Sequence, residues 1–245
     1  MEFVMIDDVR DIMDLDFDPS TDEKFNAWSN TDNLYPYNNQ PLGILEKFTF
    51  TSDISDNKDV DIIYDKLIKP SSSVLELGAG YGRVLRELIT RGYEGKLSCV
   101  ERDHKFCNIL RRDFSSAVNI YCSDISTLDF NEKFDLILWM WSGFAEFSKC
   151  EQPLMLGKLS SSISISGHMV IDTIYLDKNT SENQRNRLQC HHIKTKFGTY
   201  RRYFPSFEEI ERYAKDSNLS IKNILHYTKT FTNKKKCLYI LHKGD

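Results

Sequence analysis

The sequence has no apolar run approaching the roughly 20 residues that span a bilayer, so a membrane-crossing helix is not expected. Its first residues are acidic. They lack the basic stretch followed by an apolar one that marks a secretory signal. The six cysteines (Cys99, Cys107, Cys122, Cys150, Cys190 and Cys237) include no CxxC pair, and several fall inside apolar runs. That pattern argues against a zinc site or a disulfide framework and for reduced, partly buried thiols in the cytoplasm. No metal site is expected. His191 and His192 are adjacent, so in a strand they point to opposite faces and do not make a ligand pair. No internal repeat or low-complexity tract is present. Two phosphate-binding patterns are also missing. The G-x-x-x-x-G-K loop is absent, and G-x-G-x-x-G fails because Arg83 stands three residues after Gly80.

What is present suits a globular chain. Of 245 residues, 40% are hydrophobic and 28% charged, enough for one domain with decorations. The net charge of −4 is unevenly spread. Residues 1–23 hold nine acids against Arg10 alone, whereas residues 185–245 hold fourteen Lys and Arg against five acids. A basic C-terminal quarter suits either a solvated surface or an acidic partner.

Phe3, Val4, Ile6, Val9, Ile12, Met13 and Leu15 fit one face of a helix ended by Pro19. Residues 26–44, rich in Asn, Tyr and Pro, read as ordered loop. Asp56 to Ile68 repeats apolar residues at helical spacing. From Val74 onward strands and helices alternate. Strands are expected at Val74–Leu77, Lys96–Val100, Val118–Cys122, Phe134–Met140 and Met169–Tyr175, with helices after Gly82, over His104–Phe114 and over Pro153–Ile163. Such alternation predicts a Rossmann-like, doubly wound, mostly parallel sheet. Residues 176–205 interrupt it with a hairpin. Ser206 to Glu209 is a capping box opening a helix. Ile221–Phe231 and Cys237–His242 pair as an antiparallel C-terminal hairpin, completing seven strands. The boundaries read as 1–56 for an N-terminal arm and substrate-covering segment, and 57–245 for the main domain.

The run Glu76-Leu-Gly78-Ala79-Gly80-Tyr-Gly82-Arg83 joins a strand to a helix. Glycine suits such a turn, because it reaches backbone angles that a Cβ blocks and lets a ligand approach the main chain. The helix behind it presents unpaired N–H groups. Glu101 and Arg102 end the second strand, Asp124 and Ile125 follow the third, and Met140-Trp141-Ser-Gly-Phe144 follows the fourth. This ordered set resembles the class I S-adenosylmethionine-dependent methyltransferases over about Lys58 to Tyr175. The resemblance implies S-adenosyl-L-methionine as cofactor. Its site would be Glu76, Gly78, Ala79, Gly80, Gly82, Arg83, Glu101, Arg102, Asp124, Ile125, Met140 and Trp141. Glu101 would take the ribose hydroxyls, and Asp124 would lie beside the adenine.

The acceptor is less legible. After the fourth strand neither the Pro-Pro-Tyr-like motif of adenine methylation nor the Pro-Cys of cytosine C5 methylation is found. No nucleic-acid module is recognisable. A small-molecule acceptor methylated on nitrogen or oxygen is the leading expectation. An RNA or protein methyltransferase, or a non-catalytic S-adenosylmethionine-binding module, is the alternative. Tyr35, Tyr37, Trp141, Phe144, Arg201 and Arg202 are the candidate acceptor contacts, with His191, His192 and Tyr200 nearby in sequence. Glu146 and Tyr203 are the candidate catalytic groups. A monomer or homodimer is expected.

Overall fold

Ser73–Leu77 sends Val74 to one face of a sheet and Leu75 and Leu77 to the other, and all three side chains are buried. A strand buried on both faces lies between two layers of helices. The computed structural model shows this sandwich, and it describes residues 13–14, 28–41, 56–176, 188–230 and 233–243.

In chain order, β1 is Met13–Asp14. A 3₁₀ turn at Asn30–Asn33 leads into α1, Leu34–Asn39. Next come α2 (Lys58–Lys66), β2 (Ser73–Leu77), α3 (Arg83–Thr90) and β3 (Lys96–Glu101). Then follow α4 (His104–Phe114), β4 (Val118–Cys122) and β5 (Phe134–Trp139). A second 3₁₀ turn at Gly143–Glu146 precedes α5 (Glu151–Ser160) and β6 (Ile163–Ile174). The chain ends with β7 (Cys190–Thr195), β8 (Gly198–Tyr203), α6 (Phe207–Asp216), β9 (Leu219–Thr228) and β10 (Lys235–Lys243).

The main sheet has seven strands in the order β4-β3-β2-β5-β6-β10-β9. β2 to β6 run parallel, and β10 is antiparallel to both β6 and β9. The expected doubly wound sheet with its antiparallel hairpin is therefore the observed fold. Val60, Ile63, Leu85, Leu88 and Leu110 of α2, α3 and α4 cover one face. Leu156, Leu159, Ile210 and Tyr213 of α5 and α6 cover the other. Among the described residues no helix is long and apolar enough to cross a membrane.

The predicted capping box at α6 is formed: Ser206 N–H donates to Glu209 Oε2 at 2.8 Å, and Glu209 N–H to Ser206 Oγ at 3.3 Å. The predicted hairpin is β7–β8, joined by β1 into a separate three-stranded sheet. Three readings are corrected. Met13–Asp14 is a strand pairing with Thr195 and Lys194, not a helix, and the rest of that apolar face lies outside the described residues. Within 26–44, residues 30–39 are helical rather than loop, with Pro36 in the first turn of α1 where its missing N–H costs nothing. Finally, β6 starts at Ile163, well before the expected Met169. Its pairing with β5 shifts register between Phe134 and Leu136. Gly167 permits that, because a Cβ there would meet Phe134 O at 2.8 Å.

Candidate active site

From β2 the chain runs outward through β3 and β4, then returns to the other side of β2 as β5. The loops after β2, β3 and β5 therefore open into one crevice, where ligands of such sheets bind. A cavity of about 740 Å³ lies there. Helix α1 and one face of the small sheet lie across it.

The glycine turn forms the floor. Gly78 and Gly80 have φ of +67° and +56°, and a Cβ on either would meet nothing within 4 Å. The turn is pinned to β3, with Gly78 and Ala79 N–H donating to Val100 O at 2.9 and 3.1 Å. Three carboxylates surround it. Glu101 accepts from Gly80 N–H and from Asp103 N–H, each at 2.8 Å, and burial raises its pKa. Glu76 is 4% exposed and its Oε2 has no hydrogen-bond partner among the described residues. Burial, reinforced by Asp59 and Glu101, pushes its carboxyl up to about 8 against the pull of Arg83. Asp124 is opposed by its burial but is held below the usual range by Ser126 and Arg102. Ala79, Ile125, Met140 and Trp141 also line the cavity.

The two arginines expected here are both committed to protein partners. Arg83 donates to Asp59 Oδ2 at 2.6 Å and Oδ1 at 3.0 Å, and to Asn57 Oδ1 at 3.1 Å. Burial opposes ionisation of Asp59, but Arg83 outweighs it and lowers the carboxyl to about 2. Arg102 leans from the end of β3 toward the roof. It donates to the side chain of Asn30, sits 3.5 Å from Asp124 Oδ2 and reaches within 3.8 Å of Glu146 Oε2.

The roof is built by alternation. His191, Ile193 and Thr195 of β7, with Tyr200, Arg202 and Phe204 of β8 and its exit, share one face and line the cavity. Opposite them stands Glu146, which accepts from Tyr37 Oη and lies 3.7 Å from Arg202 Nη2. Burial, then the Glu146 charge, raises the Tyr37 pKa far above its ordinary value, so this hydroxyl stays a donor. Asn33 ties the roof together. Its Nδ2 donates to Glu146 O at 3.2 Å and Arg201 O at 2.9 Å, and its Oδ1 accepts from Arg201 N–H at 2.8 Å. Lys105 Nζ holds the end of α1 through Tyr37 O, Asn38 O and Gln40 O at 2.8 to 3.0 Å.

After β5 the backbone turns sharply. Trp141 and Ser142, neither of them glycine, have φ of +51° and +59°. Residues held in that region usually mark a site whose surroundings enforce them. Here Ser142 N–H donates to Asp172 Oδ2 at 3.2 Å, and Lys236 Nζ donates to both Ser142 Oγ and Asp172 Oδ2, at 3.0 and 2.6 Å. Asp172, Lys236 and Ser142 were missed from the sequence. The available signal was Asp172, an acid inside an otherwise apolar strand.

Five sequence-selected residues stand away from the cavity wall. Gly82 faces α4, where a Cβ would lie 2.4 Å from the Phe114 ring; its role is helix packing. Tyr35 is 68% exposed on the outer side of α1. Phe144 is buried against Trp139, ring centres 4.9 Å apart, because the turn after β5 directs it into the core. Arg201 falls on the other face of β8 from Arg202, as strand alternation requires. Tyr203, 2% exposed, donates to Glu209 at the head of α6 and is a packing group rather than a catalytic one. Trp139 is 1% exposed, packs edge-on against Phe144 and Phe147, and reaches the cavity lining together with Trp141.

Residues 74–167 match the family model described as a methyltransferase domain. A search of the curated proteins finds no significant match. Among solved structures, the chain is similar to an S-adenosylmethionine-dependent methyltransferase from Clostridium acetobutylicum, at 16% identity and a TM-score of 0.60, covering 81% of this chain and 99% of that one. It is similar to the 1,6-didemethyltoxoflavin-N1-methyltransferase of Burkholderia thailandensis, at 13% identity and a TM-score of 0.64, covering 92% of each. The glycopeptide N-methyltransferase MtfA matches at 13% identity and a TM-score of 0.62, covering 76% of this chain and 89% of that one. At these identities the structures show a shared fold. With the family-model match over residues 74–167, they show that the chain has the fold of the class I S-adenosylmethionine-dependent methyltransferases.

Proposed function

We propose that the protein methylates nitrogen or oxygen of a small molecule held between the glycine turn and the β7–β8 roof. One observation carries this reading: α1 and the small sheet lie over the crevice. What they leave is a cavity of about 740 Å³, within the range of small-ligand sites, rather than an open groove for a polymer. The toxoflavin-precursor methyltransferase, of matching fold over most of the chain, was crystallised with its small-molecule acceptor and S-adenosylhomocysteine.

The residues present fit S-adenosylmethionine. The cradle at Gly78 and Gly80 is open where a side chain would stand. Glu101 accepts one amide on each oxygen and keeps lone pairs for hydroxyls. The unpartnered Glu76 Oε2 and the acids around the turn suit a cationic ligand with an ammonium group. When bound, the cofactor supplies an activated methyl group on a sulfonium. The chain's own part is to hold and align the acceptor and keep water out. Glu146 sits where an acceptor N–H or O–H would find an acceptor oxygen. Tyr37 and the two arginines fix its direction. Residues 28–41 act as a covering segment on the main domain. Six unbridged cysteines favour a cytoplasmic setting.

Calorimetry with S-adenosylhomocysteine, followed by transfer of labelled methyl from S-adenosylmethionine into cell extract, tests the reading. Micromolar binding and label in the low-mass fraction are expected. Failure to bind either cofactor form, or label confined to RNA or protein, overturns it.

A further inference from the structure

The roof over the cavity is mostly aromatic and apolar, with one cation in its middle. Tyr200 and Phe204 flank Arg202 on the same strand face, and His191 is its cross-strand partner. Burial, then the charges of Arg202 and Lys234, lowers the His191 pKa to about 4, so it is neutral at physiological pH. Trp141 and Tyr37 add flat surfaces from the other walls.

Charge around the cavity is matched nearly pair by pair. Arg83 faces Asp59 at 2.6 Å, Lys229 faces Asp56 at 3.2 Å, and Lys236 faces Asp172 at 2.6 Å. Arg102 is shared between Asp124 and Glu146. Among the described residues two places depart from this: the acidic floor at Glu76 and Glu101, and the roof. Glu146 is contacted by both arginines, while exposed Lys234 adds a further charge at the rim. Arg202 meets Glu146 only at 3.7 Å, and its buried Nε finds no hydrogen-bond acceptor among the described residues. A buried guanidinium with an unmet donor leaves a desolvation cost that a ligand oxygen removes.

We infer that the methyl acceptor is an aromatic molecule bearing an anionic group, a carboxylate or a phosphate, received by Arg202 and the Lys234 rim beneath the β7–β8 sheet. This rests on the methyltransferase reading and names its acceptor class. The ring packs among Tyr37, Tyr200 and Trp141. The anion takes the Arg202 end, and the nucleophile is left on the Glu146 side.

The test uses the full chain saturated with S-adenosylhomocysteine, whose binding is measured first. Absence of that binding defeats the methyltransferase reading itself, separately from the acceptor class. Calorimetry on the complex then compares 4-hydroxyphenylacetate with tyramine, which share an aromatic body and differ in charge, and with phenyl phosphate. The acid is expected to bind at least tenfold more tightly than the amine. Whichever of carboxylate and phosphate binds more tightly identifies the anion. Arg202→Met is expected to weaken the acid about tenfold, roughly 1.4 kcal/mol, with S-adenosylhomocysteine affinity changed less than twofold. Glu146→Gln keeps the arginine and removes the competing anion. It is expected to tighten the acid several-fold, and it decides the matter if Arg202→Met fails to fold. Tighter binding of tyramine than of either anion, no binding of either anion, or an acid affinity indifferent to Glu146→Gln overturns the inference.

Discussion

Lys236 reaches from β10 to Asp172 of β6, Nζ to Oδ2 at 2.6 Å, with both side chains under one-tenth exposed. Tyr227 Oη closes the other carboxylate oxygen at 2.8 Å. The pair braces the left-handed corner at Ser142, so it connects the C-terminal hairpin to the wall that Trp141 forms.

Removing one member of such a pair strands the other. Lys236→Met is expected to cost about 3–5 kcal/mol, whereas Asp172→Leu with Lys236→Met costs less than the sum of the single changes. Urea melts of the two single variants and the double variant decide this, and strict additivity would show that the two groups do not act as a pair. Tryptophan fluorescence of the folded variants checks whether Trp141 has moved.

Gly80 and Gly82 belong to the same turn but meet different surroundings. Gly82→Ala drives a methyl into the Phe114 ring at φ +81° and should destabilise by about 2–4 kcal/mol, combining overpacking with backbone strain. Gly80→Ala strains the backbone at φ +56° but meets no atom, so about 1 kcal/mol is expected. Its methyl instead occupies the cradle, and S-adenosylhomocysteine affinity should fall at least tenfold. The order of the two variants in thermal melts, against the reverse order in calorimetry, separates packing from ligand contact.

The contrast between these glycines shows how far the sequence is legible. The strand period at Val74–Leu77 and Phe134–Trp139, and the acids closing β2 and β3, are local patterns, so they read out the sheet and the floor of the cavity. Gly82 and Tyr203 were misplaced because their roles depend on which helix lies opposite, and Phe144 because the turn after β5 folds it back onto Trp139; no local pattern records either. Lys236 is 64 residues from Asp172 and paired only through β10–β6 register. The roof was half legible: the hairpin was expected, but which of Arg201 and Arg202 faces inward depends on register alone.

Asn33 joins three segments with one amide, being 1% exposed and bonded to Glu146 O and to both backbone groups of Arg201. Asn33→Ala leaves those groups without partners, at about 1–3 kcal/mol for the first of them. Because the lost bonds hold α1 to the roof, hydrogen exchange should accelerate at residues 30–40 and 200–203 and not in β2 or β5. Uniform acceleration across the sheet would mean that Asn33 supports the whole fold rather than the covering segment.

Glu76 couples pH to both stability and binding. Its carboxyl titrates near 8 in the folded protein against 4.5 ordinarily, with burial as the main cause. Between those values the folded chain holds a proton that the unfolded chain has released, so stability falls as pH rises through that window. Glu76→Gln has no such proton. Wild type should therefore lose more stability than Glu76→Gln between pH 5.5 and 8.5, by an amount exceeding about 1 kcal/mol, since a tenfold difference in proton affinity between folded and unfolded chains is worth about 1.4 kcal/mol. A cation bound beside Glu76 favours the ionised carboxylate and expels the proton. Binding of S-adenosylhomocysteine at pH 7 should then release close to one proton, visible as different apparent enthalpies in phosphate and in Tris. The difference should vanish in Glu76→Gln. Equal enthalpies in both buffers for wild type would place the ligand's ammonium away from Glu76.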